Sequence, residues 1–293
     1  MLKISFTDFW QGFQENNNLI TNILKEIFEE EIKITLPRQA DVCFVTICGK
    51  NHKRIIRKFR DKSFLFLGEN MRPNIFDVPF TLSGDFNSYG GKNMRLPLWF
   101  LEIDWYKSNL GIVQLEEAEK TLVNYGKFTA DDLAKRKDCI TIFNNEEGTR
   151  MDMFKKLNSV MEVEAYGKPF NNWFPTYHDY RSKIKKMGNF KFNYCPENSL
   201  YPGYYTEKCF HSKVAGCIPI YFAESHVNKD FRKESFINMY EYLEFEELAK
   251  FLKEIKNDYD FLAKLANEPL LHTIPNLNNI KSFLYQSIKK IIC

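Results

Sequence analysis

From Cys139 to Met239, short strand-like runs alternate with segments of helical character. The runs are Cys139–Phe143, Met161–Tyr166, Phe190–Cys195, Ile218–Phe222 and Ser235–Met239, and the helices between them are Thr149–Ser159, Tyr177–Met187 and Thr206–Ala215. Strands that alternate with helices in this way indicate a parallel sheet with helices on both faces. Thr149 is an N-cap type residue, and Gly216 stands where a left-handed C-cap is needed. A single long helix is predicted over Phe245–Ala266, closing this half. In such sheets ligands bind beyond the C-terminal ends of the strands.

The first half has the same grammar. Leu2–Phe6 reads as a strand, and Asn17–Glu30 as an amphipathic helix with Leu19, Ile20, Ile23, Leu24 and Ile27 on one stripe. Further strands are predicted at Ile32–Leu36, Asp41–Ile47 and Ser63–Leu67. His52–Arg60 is strongly basic, either the solvated face of a short helix or a patch for phosphate or a membrane surface. The charged stretch Leu110–Lys137 lacks a strand pattern, which puts a boundary there and divides the chain into domains 1–128 and 129–268. In the remaining segment, 269–293, Ile280, Phe283, Leu284 and Ile288 with Lys281, Lys289 and Lys290 make an amphipathic helix. It either packs back on the N-terminal domain or lies on a membrane surface.

Composition excludes several classes. With 41 basic and 38 acidic residues the net charge is only +3, which gives no basis for nucleic-acid binding. The seven cysteines are odd in number and contain no C-x-x-C, so reduced thiols are expected rather than disulfides or structural zinc. No signal-peptide pattern opens the sequence and no apolar run is long enough to span a bilayer; a cytoplasmic, at most membrane-peripheral, location is the expectation.

Two loops fall where a parallel sheet places its ligand. One, from Asn144 to Arg150, puts Arg150 in the first turn of a helix; the other, from Gly203 to Lys208, does the same with Lys208. A cation opposes the positive end of a helix dipole unless an anion is also held there, so the pair points to a diphosphate. The alternative is that each side chain snorkels to solvent. Neither G-x-G-x-x-G nor G-x-x-x-x-G-K-[ST] occurs, which argues against hydride-transfer Rossmann enzymes and P-loop NTPases. Asp258-Tyr-Asp260 matches D-x-D by letters but falls inside the predicted terminal helix, and His178, His211 and His226 lack ligand spacing, so surface or packing roles are expected for them. Glu69, in Gly68-Glu-Asn70 after an apolar strand, is placed to serve as a general base, although Gly-Glu-Asn is also ordinary turn chemistry.

The stretch Phe192–Asn238, which contains Pro196-Glu-Asn198, Gly203-Tyr-Tyr-Thr-Glu-Lys208, Pro219-Ile-Tyr221 and Asp230-Phe231 ahead of Ser235-Phe-Ile237, resembles the signature of the α-1,3-fucosyltransferases, particularly the bacterial enzymes that make Lewis-type antigens. Gly68-Glu-Asn-Met-Arg-Pro-Asn74 and Arg95-Leu-Pro-Leu-Trp99 resemble two further family motifs, and the likeness is thin before Ser63.

The resemblance implies an α/β fold of GT-B type, two Rossmann-like domains facing a cleft, with acceptor binding in the first and GDP-fucose binding in the second. It implies an inverting transfer of L-fucose to a hydroxyl of a GlcNAc-containing glycan such as N-acetyllactosamine, releasing GDP. Glu69 would be the base, Arg150 and Lys208 would neutralise the diphosphate, and Glu207, Tyr204, Tyr205, Gly203 and Asn198 would line the donor, with Glu207 and Lys208 at the reacting centre. No metal is required on this reading, Mn2+ or Mg2+ being at most stimulatory. Two departures bear on the donor: Pro196 replaces the phenylalanine of F-E-N, and Phe222-Ala223 replaces W-G, adding a Cβ where a glycine lets backbone approach a ligand. The alternatives are a transferase using another nucleotide sugar and a non-catalytic descendant that binds nucleotide or glycan.

Overall fold

The computed structural model describes residues 1–119, 122, 127–146, 150–174 and 180–293. The chain forms two compact units, Met1–Gly111 with Pro275–Cys293, and Ile112–Ile274. The division falls before residue 128 because the intervening chain is tied into the second unit. The Leu122 carbonyl accepts from the Leu271 N–H (2.8 Å), and Asn267 accepts from the N–H groups of Lys127 and Phe128 (both 2.9 Å).

The first unit is built on six parallel strands: β1 (Leu2–Thr7), β2 (Ile32–Ile34), β3 (Val42–Val45), β4 (Ser63–Leu67), β5 (Phe80–Ser83) and β6 (Asn93–Arg95), in the order β2-β1-β3-β4-β5-β6. The last two are absent from the expected set; β6 is only three residues long and β5 carries two hydroxyl residues, so neither has a strong apolar pattern. Helix α1 (Leu19–Phe28) is capped by Asn18, whose side chain accepts from Thr21 N–H (2.9 Å), and buries Leu19, Ile20, Ile23 and Leu24. The same face of the sheet is covered by the C-terminal helix, Asn278–Ile292, whose Ile280, Leu284 and Ile288 recur every four residues and lie in that core. Each such side chain contributes about 1.5–3 kcal/mol by burial, and here the apolar stripe is consumed in packing. Helix α2 (His52–Lys58) covers the opposite face through Ile55, and a short strand β7 (Ile103–Asp104) follows β6.

The second unit opens with β8 (Val113–Gln114), α3 (Leu115–Ala118) and α4 (Ala130–Ala134). Its five-stranded parallel sheet comprises β9 (Lys137–Ile142), β10 (Val163–Tyr166), β11 (Phe190–Tyr194), β12 (Ile218–Tyr221) and β13 (Ile237–Asn238), ordered β10-β9-β11-β12-β13. Helices α5 (Arg150–Val160), α6 (Tyr180–Met187) and α7 (Glu207–Val214) connect them. Thr149, proposed as a cap, and Tyr177 and His178 lie outside the described residues. The predicted helix over Phe245–Ala266 is two helices, α8 (Phe245–Ile255) and α9 (Tyr259–Asn267). Asp258 ends the continuity by capping the second, accepting from Phe261 N–H at 3.1 Å, so the D-x-D letters mark a helix start. Gly216 has φ +75°, and a Cβ there would come within 2.3 Å of the Phe128 ring, so only glycine fits.

Both sheets begin with the same inversion of order: the second strand lies outside the first, and the third pairs with the first on its other side. The connections after the first and third strands therefore leave in opposite directions and open a crevice at the sheet edge.

Candidate active site

In the second unit that crevice lies between the loops following β9 and β11, and Arg150 fills it. The residue is 2% exposed, and its guanidinium donates to the carbonyls of Asn145 (2.8 Å) and Pro196 (2.9 Å) and to Asn198 Oδ1. It also lies 5.3 Å from the Phe143 ring, while its own carbonyl accepts from the Tyr194 hydroxyl (3.0 Å). Arg150 is thus a fixed part of the strand ends, and the snorkelling alternative is set aside. Gly167, with φ +120°, lets the end of β10 press against this wall; a Cβ there would come within 1.8 Å of the Phe143 carbonyl.

The second cation is held by a buried carboxylate that the reading of the sequence left without a role. Glu197 is 3% exposed and accepts from Thr206 N–H (2.7 Å), the Thr206 hydroxyl (2.8 Å), the Tyr221 hydroxyl (2.6 Å) and Lys208 Nζ (2.8 Å). Thr206, the N-cap residue of α7, spends its side chain on Glu197 rather than on the helix. Lys208 also donates to Thr206 Oγ1 (2.8 Å) and stands 4.0 Å from Glu207. Burial acts to lower the Lys208 pKa, but Glu197 and Glu207 outweigh it and hold the ammonium above its ordinary range. For Glu207 burial acts to raise the pKa, yet Lys208, Lys183 and His211 bring it down to about 2. Both groups are ionised at neutral pH.

A small cavity beside this pair is lined by Phe143, Lys183, Pro196, Lys208 and His211, among others. His211 is fully buried beside it, not on the surface, and lies one helical turn after Lys208. That spacing is visible in the sequence and could have marked it. Lys183 carries no such signal, because α6 holds several lysines of equal standing. With Arg150 and Lys208, Lys183 brings a third cation to this part of the unit.

The remaining predicted residues divide. Asn198 is half-buried on Arg150, and Tyr204 is half-buried in the turn where its N–H donates to the Tyr201 carbonyl (3.0 Å). Gly203, at φ +94°, makes that turn feasible. Tyr205 is 2% exposed and its hydroxyl donates to Glu224, with burial raising its pKa, so it braces the loop from inside instead of facing a ligand. Ala223 is pinned on both sides by Asn238, which accepts from its N–H (3.3 Å) and donates to its carbonyl (2.8 Å).

In the first unit Glu69 follows β4 at the C-terminal edge of the sheet, exposed, with its carbonyl accepting from Met71 N–H (2.7 Å). The turn around it is cross-linked by polar contacts. Arg72 bonds Asn70 and pairs with the buried Asp85 (3.0 Å), which also accepts from the Tyr89 hydroxyl (2.7 Å). A Cβ on Gly68 would come within 3.1 Å of Leu98, so the Gly-Glu-Asn and Arg-Leu-Pro-Leu-Trp segments are packed together. Among the described residues no group of three or more His, Cys, Asp or Glu is placed to hold a metal ion.

Residues 134–265 match the model of glycosyltransferase family 10 (fucosyltransferase), C-terminal part, and residues 4–102 match the N-terminal domain of the α-(1,3)-fucosyltransferase FucT. The chain is 23% identical to the α-(1,3)-fucosyltransferase FucT of Helicobacter pylori over 99% of its own length and 64% of that protein. It is 31% identical to the human 4-galactosyl-N-acetylglucosaminide 3-alpha-L-fucosyltransferase 9 over 43% of this chain and 35% of that one. The chain therefore spans about two thirds of the bacterial relative and about a third of the human one. A crystal structure of an α1,3-fucosyltransferase superposes with a TM-score of 0.76 at 21% identity, covering 98% of this chain and 90% of that one. The same enzyme type with GDP-fucose superposes at 0.71 and 20% identity, over the same shares. The likeness establishes a common α/β fold.

Proposed function

The chain belongs to the fucosyltransferases of glycosyltransferase family 10, and from that premise we propose that it transfers L-fucose from GDP-fucose to a hydroxyl of a GlcNAc-containing glycan. The observation that carries the reading is Arg150, a buried guanidinium bridging the two strand-end loops at the switch point of the second sheet. A cation fixed there, with Lys208 early in the helix that follows β11, suits a diphosphate.

In the proposed reaction the acceptor oxygen attacks fucose C1 as the bond from C1 to the β-phosphate oxygen breaks. The electron pair of that bond leaves with GDP, and the acceptor proton passes to the Glu69 carboxylate. A single displacement inverts the anomeric centre. Arg150 and Lys208 meet the charge that develops on the departing diphosphate, so the reaction is proposed to proceed without a bound metal. Asn198 and Glu207 are proposed to contact the donor, Tyr204 to border it, and the first unit to read an acceptor such as N-acetyllactosamine. A cytoplasmic setting is proposed with it.

Calorimetry with GDP, GDP-fucose, GDP-mannose and UDP-sugars in chelator, followed by transfer to N-acetyllactosamine, tests the reading. Binding of GDP and GDP-fucose with UDP-sugars silent, and a fucosylated product, is the expected result. Absence of guanine-nucleotide binding would reduce the family relation to shared fold. Ala223, in place of the family glycine, favours a second reading in which another GDP-sugar is the donor; binding of GDP but not of GDP-fucose would select it.

A further inference from the structure

The basic stretch of the first unit has no part in this chemistry. Between His52 and Lys62 lie six cations (Lys53, Arg54, Arg57, Lys58, Arg60, Lys62) against one acid, Asp61. The whole chain carries only +3, so these few residues hold more positive charge than the protein as a whole. The structure keeps five of the six outward, while Lys62 is half-buried with its ammonium donating to the Ala40 carbonyl. Helix α2 buries Ile55 against the sheet and leaves Lys53, Arg54, Arg57 and Lys58 exposed, and among the described residues none of these four has a carboxylate within 4.0 Å. Arg60 alone reaches one, Asp77, at 3.0 Å, on the exposed rim. Lys58 and Lys62 sit over the Phe59 ring, at 5.4 and 5.1 Å.

Beside these cations runs an open groove of about 770 Å³ with an apolar floor of Ile47, Ile56, Met71, Ile75 and Phe76. Ile75 is 62% exposed and Met71 36%. Unpaired cations beside exposed aliphatic side chains match the two layers of a bilayer surface, anionic headgroups above and acyl chains below. A soluble polyanion would use the cations and leave the apolar floor wet. The C-terminal helix, a further basic amphipathic segment, has its apolar stripe occupied in the core.

We propose that the α2 face, with the Met71–Asp77 loop, docks the protein on an anionic phospholipid surface. The cations act through the headgroup potential, and Ile75 and Met71 enter the interface. Docking of this kind is reversible and falls with ionic strength.

The test is cosedimentation of the full chain with vesicles of phosphatidylcholine alone and of phosphatidylcholine with about one-third phosphatidylglycerol, at about 0.1 M salt. Binding is expected to the mixed vesicles only, with release at high salt. Lys53→Glu with Arg57→Glu should weaken it by at least about tenfold, and Ile75→Asp several-fold, with the circular dichroism and thermal midpoint unchanged. Lys250→Glu with Lys253→Glu makes the same change of net charge on exposed positions of α8 and should bind as the parent does. No binding to the mixed vesicles would overturn the proposal. So would equal losses from the two double variants, or binding to an oligonucleotide while vesicles are ignored. None of these readouts depends on transferase activity.

Discussion

Glu197→Gln and Lys208→Met, made singly and together, test whether one buried ion pair organises the nucleotide end of the second unit. The Glu197 side chain is 1% exposed and that of Lys208 19%, with 2.8 Å between them. Removing one partner of such a pair costs about 3–5 kcal/mol, because the other charge remains buried. Glutamine keeps an oxygen for Thr206 N–H and the Tyr221 hydroxyl but turns an N–H2 group toward the ammonium, which puts the cost near the lower bound, about 3 kcal/mol. Methionine at 208 leaves the carboxylate with Thr206 and Tyr221 as donors, again about 3 kcal/mol. The double variant strands neither charge, so it should lose about 3 rather than 6 kcal/mol, a coupling of about 3 kcal/mol. Urea unfolding of the four proteins gives the cycle directly, and each single variant should melt roughly 6–12 °C lower. Single-variant losses that add to within about 0.5 kcal/mol would refute the pair as a structural element.

Glu69→Gln should lower transfer about 10²–10⁴-fold while leaving GDP affinity within twofold (about 0.4 kcal/mol); near-parental turnover would remove Glu69 from the mechanism. Arg150→Lys keeps the charge but cannot span Asn145, Pro196 and Asn198, so it should destabilise the unit by about 2–3 kcal/mol and weaken GDP more than GMP by calorimetry. Equal losses for both nucleotides would place Arg150 away from the diphosphate. Acid should weaken the fold through Glu207 and Glu164, both held near pH 2 in the folded state, the latter by Lys186, Tyr166 and Lys137 against its burial. Their folded values lie below the unfolded one of 4.5, so their stabilisation is complete above that pH and is lost as pH falls toward 2. Glu164→Gln should flatten the fall of the urea midpoint between these limits, and an unchanged slope would contradict the assignment.

Much of the architecture was legible because parallel strands advertise themselves locally. Ser63–Leu67 and Ile218–Tyr221 are short, almost wholly apolar runs, Phe190–Tyr194 keeps aromatic residues at alternate positions, and the α1 stripe repeats with helical period. Strands β5 and β6 were not legible, being short and polar, and the break at Asp258 was hidden because apolar periodicity resumes after it in nearly the same phase. Glu69, Arg150 and Lys208 were legible as chemistry at strand ends, before anything showed what holds them.

The sequence by itself therefore determined most of the strands and helices, their alternation and the candidate charges, since each depends on residues within a few positions of one another. Only the tertiary structure decided the partners. Arg150 reaches Asn198 across 48 residues and Tyr221 reaches Glu197 across 24, distances that no local pattern spans. The same cause separates the roles of Glu197 and Glu207: one carboxylate is walled in by four donors and holds a lysine, the other sits a turn's edge away with its charge kept by that lysine. Two glutamates ten residues apart read alike as letters, and burial, which the parallel crossover sets, makes them different.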